Sequence, residues 1–390
     1  MRAVLACGLA LWLLGAVSTG AAELAPAKLA LVVPMTGEAG RAGQSMRWAA
    51  ELALADWQGR LDRRVELVVH EDRFDPGQAV TLARQLAKNA VWGVVGHFYS
   101  SSSIAAAGVY AEAGIPQITA TATHPRLTAR GYSTVFRVVG RDDQQAATAA
   151  DFAQSRLRSR RIALIHDGTE YGRVLAETFR ETCDRSGLPR VVLRQEIAQG
   201  NTSFPDLIAR IVEARPDAVY FGGIFREAGL LLRQMRQARA AAAFLGGDGV
   251  LDPEFVTLAG EAALADVYLT SLPDPWQLAT ASPVIERYEG RYGALGPHAL
   301  YAYDAVGAYL WAYHLAKPRS ASPEELGKLL RALRGGAYPG ALGILRWDAR
   351  GDRAPAPYVV YTVKQHGSLH GWFEQVPPAA ARKARQPGEP

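Results

Sequence analysis

The sequence predicts an α/β protein of two interleaved lobes, each built on a parallel β-sheet that is covered by helices. Its 390 residues exceed the roughly 100–200 residues of one domain, so more than one domain is expected. Short β-branched segments alternate with longer segments of helical periodicity, which is the pattern of βαβ units. The alternation occurs in two separate stretches, and helices without strands of their own follow the second.

The first stretch contains three predicted strands and two predicted helices, and the second contains three of each. The predicted strands are residues 29–33, 65–69 and 91–95, then 162–166, 191–194 and 218–221. The predicted helices are residues 42–57 and 78–87, then 171–184, 204–213 and 227–237.

Beyond a further β-rich segment at 266–271, the chain becomes helical over residues 283–292, 299–316 and 323–333. Helices without adjacent strands need a sheet to cover, so we expect this part to return to the first sheet. It is followed by β-rich segments at 343–347 and 358–363. The expected division is therefore residues 23–141 plus 271–345 for the N-terminal lobe and residues 142–270 plus 346–375 for the C-terminal lobe.

The N-terminus predicts export to the periplasm. Arg2 precedes an uncharged apolar run over residues 3–17, and small residues follow up to Ala22. This run is short for a membrane span, so residues 1–22 are interpreted as a cleaved signal peptide, after which no stable membrane insertion is expected. The alternative is a lipid anchor on Cys7, although that cysteine lies very early for one.

After cleavage, Cys183 is the sole remaining cysteine, so no internal disulfide can form. Cys183 follows apolar residues at helical spacing, which favours a buried small hydrophobic side chain over a reactive thiol. The Ala-, Pro- and Arg-rich residues 376–390 are expected to be a disordered tail.

The composition excludes several classes of protein. A hydrophobic content of 49%, a charged content of 21% and a mean hydropathy of −0.04 describe a globular chain rather than a disordered or multi-span one. The two ends carry four basic residues and one acidic residue, so the net charge of +5 falls to +2 for the rest of the chain. The basic isoelectric point therefore gives no reason to expect a nucleic-acid partner.

Sequence signatures of enzymes and metal sites are missing. The sequence contains no phosphate-binding loop, dinucleotide-binding glycine motif, HExxH motif or cysteine pair. Ser368 does not lie in a nucleophile elbow, because His366 occupies the required glycine position. His366 and His370 are four residues apart, but Gly367 between them favours a solvated hairpin over a metal site. We expect neither catalysis, nor a cofactor, nor a bound metal.

Two polar loops follow predicted strands. Residues 96–103, with the sequence GHFYSSSS, open a helix, and residues 118–125, with the sequence ITATATHP, follow the next strand. Hydroxyls and free N–H groups at a helix start can bind a carboxylate. The alternative is that Ser100 merely caps the helix, and at this point the two interpretations are equally supported.

The chain resembles the leucine/isoleucine/valine-binding proteins of amino-acid ABC importers, a branch of the type I periplasmic solute-binding proteins. The resemblance is carried in order by residues 75–80, 96–103, 127–132, 161–167, 171–172, 220–223, 232–234, 246–250, 347–348 and 351–352. It implies two Rossmann-like (flavodoxin-like) lobes joined by a three-stranded hinge, with a ligand held in the cleft between them.

The resemblance also implies a set of binding residues. The carboxylate of an amino acid would be held by Ser100 and by the loop of Thr121, Ala122 and Thr123. Its ammonium would meet Asp248 in the second lobe, where close relatives carry the longer Glu.

Asp is one methylene shorter, so its reach falls by roughly 1.5 Å, about one C–C bond. The ammonium would then lie deeper, or a water would bridge. Tyr171 is expected to form a wall of the site, with a purely packed ring as the alternative.

Three departures from the family pattern affect the expected pocket. Ile224 and Ala42 stand where relatives carry tyrosines, which predicts a roomier and more apolar pocket. The positions of the family's disulfide match Phe74 and Tyr99, an aromatic pair that could replace the disulfide by packing. Tyr99 is also expected to be a binding residue.

The implied function is capture of an amino acid, with branched aliphatic side chains favoured, for an ABC transporter permease. Two alternatives stay open: binding of an aromatic or other apolar carboxylic acid, and a periplasmic sensory ligand-binding module. The small molecule and the permease are the expected partners, and the protein is expected to be a monomer.

Overall fold

A computed structural model of the protein describes residues 25–187, 189–369 and 371–377. The predicted signal peptide and residues 378–390 lie outside the described residues. Two β-sheets and one small hairpin form the scaffold. Val376 is part of it, because its N–H donates to the Val360 carbonyl at 2.8 Å. The expected start of a tail at residue 376 was therefore placed too early.

The first sheet is entirely parallel, with the order β2-β1-β3-β4-β5. Its strands are β1 (Ala27–Val32), β2 (Val65–His70), β3 (Gly93–Val95), β4 (Gln117–Thr119) and β5 (Val135–Arg137). The connecting helices are α1 (Gly40–Gln58), α2 (Pro76–Lys88), α3 (Ser100–Glu112) and α4 (Arg126–Ala129). The short strands of this sheet are almost wholly buried, as expected for a parallel sheet covered on both faces. This sheet and the helices packed on it are called the N-terminal lobe below.

The second sheet has seven strands in the order β14-β13-β10-β9-β8-β6-β7. They are β6 (Arg161–His166), β7 (Arg190–Glu196), β8 (Ala218–Gly222), β9 (Ala243–Gly246), β10 (Val267–Ser271), β13 (Val359–Gly367) and β14 (Gly371–Gln375). Its helices are α5 (Asp142–Ser155), α6 (Glu170–Ser186), α7 (Pro205–Ala214), α8 (Phe225–Gln237) and α9 (Pro253–Ala259). The last two strands pair antiparallel at the sheet edge. This sheet and its helices are called the C-terminal lobe.

Three late helices return to the first sheet, as the sequence pattern predicts. They are α10 (Ser282–Tyr292), α11 (Ala299–Ala316) and α12 (Pro323–Gly335), and their buried side chains join the apolar core of the N-terminal lobe. Helix α11 is apolar on all sides because it is enclosed by α1, α12 and the sheet. The chain thus passes between the two sheets three times, at residues 138–141, 272–281 and 346–358.

The segment predicted as strand 343–347 belongs to neither sheet. Residues Tyr338–Gly340 (β11) and Gly343–Leu345 (β12) pair only with each other in a hairpin. The two-lobed α/β architecture predicted from the sequence is otherwise confirmed.

Candidate functional site

A cavity of about 230 Å³ lies between the two lobes. Most of its polar lining comes from loops at the carboxyl ends of parallel strands, where α/β sheets generally bind ligands. Its volume is below the roughly 300–1,000 Å³ of drug-sized sites, so it suits a small metabolite.

Seven of the nine predicted binding residues line this cavity. They are Ala42, Tyr99, Ser100 and Thr121 from the N-terminal lobe and Tyr171, Ile224 and Asp248 from the C-terminal lobe. Ala122 and Thr123 do not line it, and both are buried. Their binding roles, like those of the other seven, stay predictions.

The N-terminus of helix α3 faces the cavity. Tyr99 occupies the N-cap position without a side-chain capping hydrogen bond, and Ser100 and Ser101 in the first turn line the cavity. First-turn N–H groups have no partner within a helix, and their dipoles favour a negative charge. The Ser100 side chain therefore does not cap α3, and this helix start is suited to a carboxylate.

Thr121 is less free to bind a carboxylate than the sequence implied. Its hydroxyl donates to the Phe98 carbonyl at 2.6 Å, which ties the two polar loops together. A hydroxyl has one proton to donate, so in this conformation Thr121 can only accept a further hydrogen bond. Ser100 and the start of α3 are therefore the remaining candidates for donating hydrogen bonds to a carboxylate.

Arg137 holds the loop of Thr121 by hydrogen bonds to its carbonyl groups, a role that sequence reasoning missed. Its buried guanidinium donates to the carbonyls of Ala122 at 2.9 Å and His124 at 3.2 Å. It also lies 2.7 Å from the Asp352 carboxylate. An arginine at the end of the apolar strand β5 was the available signal, because a buried cation must be paired.

On the opposite side of the cavity, the carboxylate of Asp248 lies within a hydrogen-bonded turn. The Tyr171 hydroxyl donates to Asp248 Oδ1 at 2.8 Å and accepts the Gly249 N–H at 3.1 Å. Burial raises the pKa of Asp248, while the Tyr171 hydroxyl and the Gln145 side chain oppose that increase. Tyr171 is thus both a wall of the cavity and the partner that orients Asp248.

Glycines make this turn possible. A Cβ on Gly247 would lie 2.7 Å from the Tyr171 hydroxyl oxygen, and one on Gly249 would lie 2.9 Å from the Gly223 carbonyl oxygen. Both positions therefore require glycine for the close approach of Tyr171.

The remaining lining is largely aromatic and apolar. The rings of Phe74 and Tyr99 lie 4.1 Å apart, so the predicted aromatic packing is present. Sequence reasoning missed several other lining rings, which come partly from the late segments: Phe98, Trp276, His298, Tyr301 and Tyr358. Phe98 lies within the polar loop 96–103, but the other four rings are so far from the polar loops along the chain that no signal indicated they would meet there.

Two ion pairs join the lobes at the rim of the cavity. Arg41 Nη2 lies 2.7 Å from Asp252 Oδ1, and Glu38 pairs with Arg226. All four residues flank the cavity, and three of them line it.

A third link at the rim connects Glu170 to the N-terminal lobe. Arg126 Nη1 and His124 Nε2 lie 3.1 and 3.0 Å from Glu170 Oε1. The Arg126 N–H donates to His124 Nδ1, so His124 Nε2 carries the proton that is donated to Glu170. Burial lowers the pKa of His124 to about 4, which keeps this ring neutral.

The described residues also bear on a metal site, a membrane span and a reactive thiol. Among the described residues, no three His, Cys, Asp or Glu side chains are grouped as a metal site would require. Within residues 25–187, 189–369 and 371–377, no helix has the length and apolarity needed to cross a membrane. Cys183 is buried and unbonded to another cysteine, and burial raises the pKa of its thiol to about 12, as expected for a packed side chain.

Comparisons with known proteins identify a family. A family model described as "Periplasmic binding protein" matches residues 26–368. An "Amino acid binding protein" of Pseudomonas aeruginosa is 34% identical over 354 residues, covering 89% of this chain and 92% of the relative. A "Leu/Ile/Val-binding protein homolog 1" of Brucella abortus is 33% identical over 364 residues, covering 93% and 96%.

Solved structures give the same result. The crystal structure of a leucine binding protein from Thermotoga maritima superposes with a TM-score of 0.80 at 28% identity. The match covers 90% of this chain and 98% of that one.

Proposed function

This chain belongs to the periplasmic binding protein family, in its Leu/Ile/Val-binding branch, and from that premise we propose that it captures a free amino acid in the cleft between its lobes. It would do so as the substrate-binding protein of an ABC importer. The role is binding without catalysis, because holding and releasing a solute requires no bond to be made or broken.

The observation that carries the proposal is the division of charge across the cavity. The N-terminal lobe contributes a helix start with Ser100, which favours a carboxylate. The C-terminal lobe contributes the carboxylate of Asp248, which favours an ammonium. A zwitterion is costly to bury unless each of its charges meets a partner, and an amino acid fits this pair of partners.

Binding residues on both lobes also supply a mechanism for closure. A ligand that contacts both lobes binds the closed state better than the open state, and only that difference shifts the equilibrium between them. In the proposed sequence the carboxylate binds first at α3, and Asp248 completes the site as the lobes close.

The side-chain preference is proposed from the relatives. Those named for leucine, isoleucine and valine support a branched aliphatic side chain. The second candidate is an aromatic or other apolar carboxylic acid. The rings of Phe74, Phe98 and Trp276 in the lining favour it, because aromatic rings pack well against one another.

The family is periplasmic, and we propose export through residues 1–22 and delivery of the ligand by a monomer to a permease. The mature protein, without that segment, provides the test. Thermal-shift and calorimetric titrations would use the standard amino acids together with benzoate and phenylacetate. Saturable binding of leucine, isoleucine or valine supports the proposal. A large shift with phenylalanine or benzoate and none with leucine would replace it with the second candidate.

A further inference from the structure

Asp142 is a buried carboxyl group behind the cavity. It is the first residue of α5, its side chain is 0% exposed, and it does not line the cavity. The Thr123 hydroxyl faces it, but no described donor reaches hydrogen-bond geometry with either of its oxygens. An ionised carboxylate in such a place is costly, whereas a protonated one is tolerated.

The groups around Asp142 do little to stabilise a second negative charge beside that of Asp248. Gln145, one helical turn after Asp142, lies against Gly247 beside Asp248, and the charges of Asp248 and Asp143 both raise the pKa of Asp142. Arg137 and Arg141 both pair with Asp352, and Arg141 also pairs with Asp143. The phenols of Tyr171, Tyr220 and Tyr358 also face Asp142.

The protonation state follows from this geometry. Burial, and then the charge of Asp248, raise the pKa of Asp142 to about 8, against the opposing effects of Thr123 and Arg137. Interacting acids lose their protons in steps that belong to the pair, so the charge on one controls the proton on the other. At neutral pH Asp142 is therefore mainly protonated in the empty cluster.

Resting on the proposed ammonium site at Asp248, we infer that Asp142 releases its proton to solvent when a ligand cation binds beside Asp248. The O–H bond of the Asp142 carboxyl breaks, its electron pair stays on the carboxylate, and a buffer base takes the proton. The ammonium beside Asp248 then offsets the negative charge that Asp142 gains. Asp142 thus acts through Asp248 as a positioning residue that matches the buried charge to a cationic ligand.

The test is calorimetric titration of the mature protein with L-leucine at pH 7.5 in phosphate and in Tris. These buffers differ in ionisation enthalpy, so the difference in observed heat counts the protons exchanged. We expect release of about half a proton per leucine and an affinity that rises about threefold per pH unit between pH 6.5 and 8. A heat that is the same in both buffers would overturn the inference without using any variant.

Two variants assign the proton to its residue. Asp142→Asn keeps the shape but has no proton to release, so its affinity for leucine should be independent of pH over this range. Asp151→Asn is the matched control, because Asp151 is an exposed aspartate of the same helix. Proton release that persists in Asp142→Asn, or is lost in Asp151→Asn, would contradict the role of Asp142.

Failure of the inference can be told apart from failure of the proposed function. Leucine binding without proton release refutes only the role of Asp142. If leucine does not bind, the amino acid with the largest thermal shift replaces it in the same titration. If no amino acid binds, the proposed function and the inference both fail.

Discussion

Replacing Asp248 by asparagine should abolish recognition of the ammonium while leaving carboxylate recognition intact. The asparagine keeps the shape and can still accept the Tyr171 hydrogen bond, which is 2.8 Å long in the native protein. It removes the Asp248 carboxylate from the cavity wall and turns an N–H₂ donor toward the ligand cation.

The expected size of the effect follows from the setting of Asp248. Removing one partner of a buried ion pair costs about 3–5 kcal/mol. Asp248 is only partly buried, so the lower end applies, and about 3 kcal/mol corresponds to a loss of roughly 150-fold in leucine affinity. The analogue without the amino group, 4-methylpentanoate, should bind the variant as well as or better than the native protein, because its carboxylate no longer meets a second negative charge.

The assay is calorimetric titration of both ligands into the native protein, Asp248→Asn and the control Glu254→Gln. Glu254 also lines the cavity but is exposed, and its substitution changes the net charge by the same amount. We expect the control to bind leucine within about twofold of the native protein, since exposed charges contribute little. Equal losses for leucine and 4-methylpentanoate in Asp248→Asn would refute the assignment of the ammonium site.

Three further outcomes are expected. The ion pair of Arg41 with Asp252 links the lobes, and its arginine is 56% exposed, so Arg41→Ala should weaken leucine binding by at most about fivefold through faster dissociation. Stopped-flow measurements showing an unchanged off-rate would contradict this. The raised pKa of Asp142 makes its contribution to stability fall as pH rises from about 4 to about 8. Asp142→Asn should therefore show a smaller drop in melting temperature between pH 5 and pH 8.5 than the native protein. An equal drop in both proteins would contradict the raised pKa of Asp142. Phe74→Ala removes the ring whose centroid lies 4.1 Å from that of Tyr99. We expect it to lower the free energy of unfolding, measured by urea denaturation, by about 1–3 kcal/mol. Phe74→Leu should lower the free energy of unfolding by less.

The sequence by itself determined the two-lobed architecture. Strand and helix periodicities repeat locally, so the βαβ units and the return of three helices to the first sheet could be predicted without coordinates. The resemblance to the Leu/Ile/Val-binding proteins, carried by short motifs in order along the chain, implied that the loops of Ser100, Tyr171 and Asp248 face one cleft.

The tertiary structure alone decided how these residues are connected. The Thr121 hydroxyl is occupied by the Phe98 carbonyl, and the rings of Trp276 and Tyr301 reach the cavity from segments far along the chain. Asp142 has an unremarkable sequence context, because an acidic residue at a helix start is common. Its burial without a hydrogen-bond donor beside Asp248 depends on the packing of elements that are distant along the chain. A local sequence pattern does not show which distant side chains will be buried together.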